Sequence, residues 1–141
     1  IGDVADMFGK RKIPLNVSMT RYVSDEIKRQ YLQASDIALN PVAEGAGVSV
    51  KMFDYMASGL PIITTKRGAR GLPLENATHC IIADRSEFGK AISFLISRPD
   101  VMKKLGKNIQ DMAMEHFSRE RIGKHMADCI ESNFEGWRKS S

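Results

Sequence analysis

The sequence has little of what metal, disulfide or membrane chemistry requires. It holds only two cysteines, Cys80 and Cys129, and three histidines, His79, His116 and His125. None of them has metal-ligand spacing, so no metal is expected. Two distant thiols build no disulfide framework, and both are expected as reduced core thiols of a cytosolic protein. Aromatic residues make up 7%. They form no RNA-binding signature, and there is no zinc-finger spacing, so nucleic acid is not an expected partner. No apolar run approaches the roughly 18 residues that span a bilayer. No basic n-region opens the chain as in a secretory leader. The first residue is Ile1 rather than Met, which suggests a processed, tagged or truncated product. The location expected is the cytoplasm, with a peripheral place at the inner membrane face as the variant for a full-length protein.

What is present suits one globular domain: 141 residues, 43% hydrophobic and 27% charged. The net charge of +4 comes from short clusters: Lys10-Arg11-Lys12, Lys66-Arg67 with Arg70, and Lys103-Lys104 with Lys107. They read as solvated charges whose mild positive field suits an anionic small molecule or an acidic surface.

Short apolar runs alternate with longer amphipathic ones. Residues 16–23 read as a strand. Ser24 then caps a helix through residue 35, with Asp25 and Glu26 at the positive end of its dipole and Ile27, Tyr31, Leu32 and Ala34 near one face. Residues 36–41 read as a buried strand ended by Asn-Pro. A helix is expected over 49–58 with Gly59 as its C-terminal stop. A strand follows over 60–65, with Pro61 at its start. Residues 66–79 form a loop and 80–84 a strand. Ser86 should cap a helix to Ile96, Arg98-Pro99-Asp100 should break it, and Val101–His116 should form the next. Ser118 should cap the last helix, whose stripe of Ile122, Met126, Cys129, Ile130 and Phe134 is expected in the core. The alternation predicts an α/β fold, a Rossmann-like parallel sheet with helices on both faces. The final helix, 118–141, either lies on this sheet or reaches a second domain.

One turn stands out, Glu44-Gly45-Ala46-Gly47-Val48-Ser49, between a strand and a helix. In open α/β sheets ligands bind outside the carboxyl ends of the strands. The glycines permit close approach of a ligand or positive φ. The amides of a helix starting near Val48 offer an anion site, with phosphate the usual guest. Glu44, Asp54 and Lys51 would then face other parts of a ligand that carries hydroxyls as well as a diphosphate, as a nucleotide sugar does. The alternative is that Glu44 is a surface turn residue and Lys51–Asp54 an exposed i,i+3 pair. The turn matches neither GxGxxG nor GxxxxGK[ST].

The run "YVSDEIKRQYLQASDIALNPVAEGAGVSVKMFDYMASGLPIITTKRGARGL", followed by "HFSRERIGKHM", resembles the carboxyl-terminal domain of the family 4 (group 1) glycosyltransferases of GT-B fold. The resemblance spans residues 1–130. It implies a donor-binding domain over 1–141 that faces a separate acceptor domain across a cleft. The activity implied is sugar transfer from a nucleotide-diphosphate sugar, with retention, without a metal and without a cofactor beyond the donor. Glu44 matches the catalytic first acid near the sugar hydroxyls, and Asp54 the second acid, on the ribose diol. Gly45, Ala46, Gly47, Val48 and Ser49 would meet the diphosphate, with Lys51 nearby, and Tyr22-Val23 would lie near the base. Asp54 is one methylene shorter than the common Glu, and its gap from Glu44 is longer than the commonest. Arg21 stands where many relatives have Gly, and Arg119 near a usual Trp. The family's basic diphosphate clamp comes from segments before Ile1, and Ile1-Gly2-Asp3 resembles the end of the preceding strand.

The resemblance leaves the acceptor as an unidentified glycan, lipid-linked glycan or small molecule on the missing N-terminal domain. The chain alone is expected to bind donor and not to turn over. The competing reading is a non-catalytic nucleotide-binding or interaction module on the same scaffold. A sheet truncated in this way should expose an apolar edge or face and favour self-association.

Overall fold

The computed structural model describes residues 13–139, and side chains over residues 13–132. The basic cluster Lys10-Arg11-Lys12 and the Ile1-Gly2-Asp3 resemblance lie outside the described residues. The chain divides into two units, Ile1–Ser35 and Asp36–Ser141.

In the first unit, residues 16–23 do not form the expected strand. Leu15-Asn16 make a turn, and Val17 N donates to Pro14 O at 3.0 Å. Leu15 is fully exposed and Val17 half-exposed. Strand propensity without a neighbouring strand or buried face does not make a strand. Helix α1 (Asp25–Gln33) does form, and Ser24 Oγ accepts from Ile27 N as its cap. Arg29 pairs with Glu26 on its surface. No residue of α1 is buried.

The second unit runs β1 (Ala38–Asn40), α2 (Lys51–Ala57), β2 (Ile62–Thr64), β3 (Ile81–Ile82), α3 (Phe88–Ile96), α4 (Pro99–Phe117) and α5 (Arg119–Lys139). The strands form a parallel sheet in the order β1-β2-β3. β2 and β3 are short runs of β-branched residues, as strands of a parallel sheet are, while β1 is Ala38-Leu39-Asn40 and ends on a polar residue. All three positions of β2 are buried, which requires cover on both faces. Ile63 enters a cluster with Phe88, Leu95 and Leu105. Ile62 and Thr64 alternate to the opposite face and are also fully buried. Met52 and Met56, four residues apart on α2, are fully buried.

Helix ends follow local chemistry with two shifts. Gly59 stops α2 at φ +66, as expected. Ser86 is no cap: it lies inside a 3-10 turn, Arg85–Glu87, already in the helical run that continues as α3. The residues expected to break the chain after Ile96 start α4 instead, because Pro99 takes its first position, where a missing N–H costs nothing. Ser118 does cap α5, its Oγ accepting from Arg121 N at 3.4 Å.

The expected burial of the α5 stripe is not found. Ile122, Met126 and Ile130 are about half exposed, and Cys129 is exposed rather than in the core. Phe134's side chain lies outside the described residues. The stripe's periodicity is real, but α5 meets chiefly α4, so most of its length has no described surface to cover it. Cys80, by contrast, is fully buried.

A Cβ on Gly106 of α4 would stand 2.3 Å from the Gly59 carbonyl oxygen, a backbone atom that cannot swing aside. Gly106→Ala should therefore lower stability by roughly 1–2 kcal/mol even after the helix-propensity gain, read as a fall in the urea midpoint. Burial pushes the Cys80 thiol from 9.0 up to about 11. At pH 8 only Cys129 should react with Ellman's reagent, and Cys80 only after unfolding. Because the folded state keeps the Cys80 proton that the unfolded state releases, stability should fall as pH rises from 9.0 to about 11.

Candidate functional site

The site grows from the carboxyl ends of two neighbouring strands. Asn40 ends β1 and sits in register with Thr64, which ends β2. The segments that leave them, 41–50 and 65–72, therefore emerge together on the edge where α/β sheets bind ligands.

Asn40 is the hub. Its side chain is fully buried, and a buried carboxamide must be hydrogen-bonded or cost 1–3 kcal/mol, on the order of a whole mutation. Nδ2 donates to Thr64 Oγ1 and to Gly68 O, both at 3.3 Å, and Oδ1 accepts from Ser49 Oγ at 3.4 Å. Its backbone oxygen accepts from Thr65 N at 3.4 Å. Thr65 Oγ1 donates to Val42 O at 2.5 Å and accepts from Gly68 N at 3.0 Å. Sequence reading took Asn40 only as a strand stop, although a polar residue closing a buried apolar run was a signal for such a bond network.

The glycine turn follows. Gly45 and Gly47 have φ of +124 and +88, as the sequence suggested. A Cβ at either would meet nothing within 4 Å, so backbone conformation, not crowding, calls for glycine, and the surface over the turn is open. Among the described residues, none accepts a hydrogen bond from the amides of Gly45 through Ser49. The helix starts later than expected: Val50 is the cap residue and Lys51 the first of seven in α2. Residues 48–50 make a turn into it, with Met52 N donating to Ser49 O at 3.0 Å.

Arg67 and Arg70, expected as solvated charge, are exposed and also bond the glycine turn. Arg67 Nη2 donates to Gly45 O at 2.8 Å, and Arg70 Nη2 to Gly47 O at 3.0 Å and Gly45 O at 3.5 Å. All three members of that cluster, Lys66 included, are exposed.

The remaining predicted residues are placed as follows. Glu44, Ala46, Val48 and Lys51 are exposed and Ser49 half-buried, all on or beside the turn. Asp54 is half-buried on α2. It lies beside the half-buried Tyr55, whose hydroxyl is pushed up first by burial and then by the Asp54 charge. Tyr22 is exposed and Val23 half-buried in the first unit, so the site described comes from residues 36–141 alone. His116 and His125 line a separate surface hollow of about 390 Å³ with Glu115, Arg121, Lys124 and Asp128. No group of three or more His, Cys, Asp or Glu among the described residues is arranged to hold a metal.

Asn40→Ala should strip the edge of its shared partner. Stability should fall by about 2 kcal/mol in chemical denaturation, and amide exchange should quicken at residues 65–68.

The fold is shared with known proteins. The sequence profile of the family described as glycosyl transferases group 1 matches residues 3–98. An uncharacterised 44.6 kDa protein in the cps region of Klebsiella pneumoniae is 26% identical over 100 residues, covering 70% of this chain and 26% of that protein. HepE of Anabaena, solved in complex with UDP-glucose, superposes with a TM-score of 0.75 at 16% identity over 92% of this chain and 36% of its own. The carboxyl-terminal domain of the glycosyl transferase group 1 protein LpcC from Francisella tularensis superposes at 0.63, with 20% identity, over 73% and 53%. The chain thus spans about a quarter of the Klebsiella protein and about a third of HepE. With its parallel sheet, its glycine turn at the carboxyl edge and the match over residues 3–98, the chain belongs to the group 1 glycosyl transferase family.

Proposed function

We propose that this domain binds the nucleotide-sugar donor of a glycosyltransferase, at the glycine turn on the carboxyl edge of β1. The observation that carries the reading is the open turn itself, with glycines at φ +124 and +88 and amides that no described residue accepts from. Family membership supplies the reaction class, and HepE was solved with UDP-glucose at low identity.

In this proposal the amides from Gly45 to Ser49 meet the diphosphate. Glu44 takes hydrogen bonds from sugar hydroxyls, and Asp54 takes them from the ribose diol. Glycosyl transfer leaves negative charge on the departing diphosphate, and fixed dipoles already aimed there lower the barrier without reorganisation. Lys51, in the first turn of α2, adds positive charge on the same side of the turn's exit. The acceptor, and the group that takes its proton, belong to the other half of the enzyme. Retention and independence of a metal ion are part of the same proposal and rest on the family resemblance.

A thermal-shift panel of UDP, GDP and ADP sugars on the protein tests donor binding. One of the three should raise the melting temperature, and silence from all three would contradict the reading. In a transfer assay of an enzyme that carries this domain together with its acceptor half, Glu44→Ala should lower kcat about 100-fold, the scale of one lost stabilising group at a reacting centre. Asp54→Ala should chiefly raise the donor KM. Unchanged transfer in Glu44→Ala would make Glu44 a surface turn residue.

A further inference from the structure

We infer that Arg67 and Arg70 are positioning residues that aim the amides of Ala46 and Val48 at the donor's diphosphate, and so set the site's preference for diphosphate over monophosphate. The inference rests on the donor-site reading above.

In a trans peptide the carbonyl and the amide N–H of one plane point in opposite directions, and the described residues hold no cis bond. Arg70 Nη2 reaches both Gly45 O, at 3.5 Å, and Gly47 O, at 3.0 Å. Both carbonyls therefore face one atom, and Arg67 Nη2 adds a shorter bond to Gly45 O at 2.8 Å. The partners of those carbonyls in their planes are the N–H groups of Ala46 and Val48. Each must face away from the guanidinium that holds its carbonyl. Neither donates to a described residue. Two main-chain donors fixed in this way in an open turn suit the oxygens of an anion. A charged donor on the carbonyl also polarises the peptide and strengthens the N–H as a donor.

The arginines are themselves anchored. Ala69 N donates to Thr65 O at 3.0 Å, and Arg70 N to Arg67 O at 3.3 Å. Gly71 passes so close to the turn that a Cβ there would stand 2.8 Å from Val48 Cγ2. Charge alone would need none of this geometry, since arginines serving only as a positive field would extend into water.

Calorimetric titration of the 141-residue chain with UDP and with UMP provides the test. The wild-type chain should prefer UDP by about tenfold or more, the scale of one or two added hydrogen bonds. Arg67→Gln/Arg70→Gln should lose most of that preference while UMP affinity changes less than about twofold. Arg70→Gln alone should shift the ratio in the same direction with less disturbance of the loop, and circular dichroism checks that both variants fold. Lys103→Gln/Lys104→Gln removes the same charge from α4 and should leave the ratio unchanged. A ratio that survives both arginine variants, or that falls equally in the lysine variant, overturns the positioning role while the donor reading stands. A wild-type chain that binds neither nucleotide, nor GDP nor ADP in the same titration, overturns the donor reading and this inference together.

Discussion

The buried carboxamide of Asn40 holds the carboxyl edge of the sheet together. Parallel strands bring Asn40 and Thr64 side by side, but the segments beyond them have no ladder to keep them in place. One side chain does so by bonding Thr64, Gly68 and Ser49 at once. In the low dielectric of a fully buried position, such bonds are strong when made and costly when missing. The turn and the loop after β2 are thereby fixed to the sheet and to each other. They behave as one surface rather than as two independent loops.

That rigidity matters because the proposed ligand groups are mostly main-chain amides. An amide cannot be re-aimed by a rotamer change, so its direction is set by φ, ψ and whatever holds the neighbouring carbonyl. Gly45 and Gly47 supply the φ, and Arg67 and Arg70 hold the carbonyls. The preorganisation is made before any ligand arrives, which is the condition for electrostatic stabilisation to act on a transition state. Side chains on the turn, Glu44 and Ser49 among them, then differ in task. Ser49 is tied into the Asn40 network, while Glu44 stands exposed at the turn's start.

Most local chemistry was legible in the sequence, the Ser86 cap excepted, and long-range chemistry was not. The Ser24 and Ser118 caps were visible because a cap and its amide lie three residues apart. The strands at Ala38–Asn40 and Ile62–Thr64 were visible as continuous apolar runs between turn formers. The positive φ at Gly45 and Gly47 was visible from residue type. Residues 16–23 failed because β-branched composition needs a partner strand that only the fold can supply. The α5 stripe failed because periodicity shows that a face exists, not what covers it. The partners of Arg67 and Asn40 were not legible because they lie 22 to 28 residues away, and nothing in local spacing separates a solvated arginine from one bonded across a turn.

The most direct test of the central claim is a nitrogen–proton correlation spectrum of the labelled chain titrated with UDP. A rigid edge that presents main-chain donors predicts large, saturable shifts at Ala46 and Val48, smaller ones at Gly68 and Arg70 that share the network, and little change on α3. Saturating UDP that leaves the amides of residues 45–49 unmoved while shifting those of another surface would contradict the account.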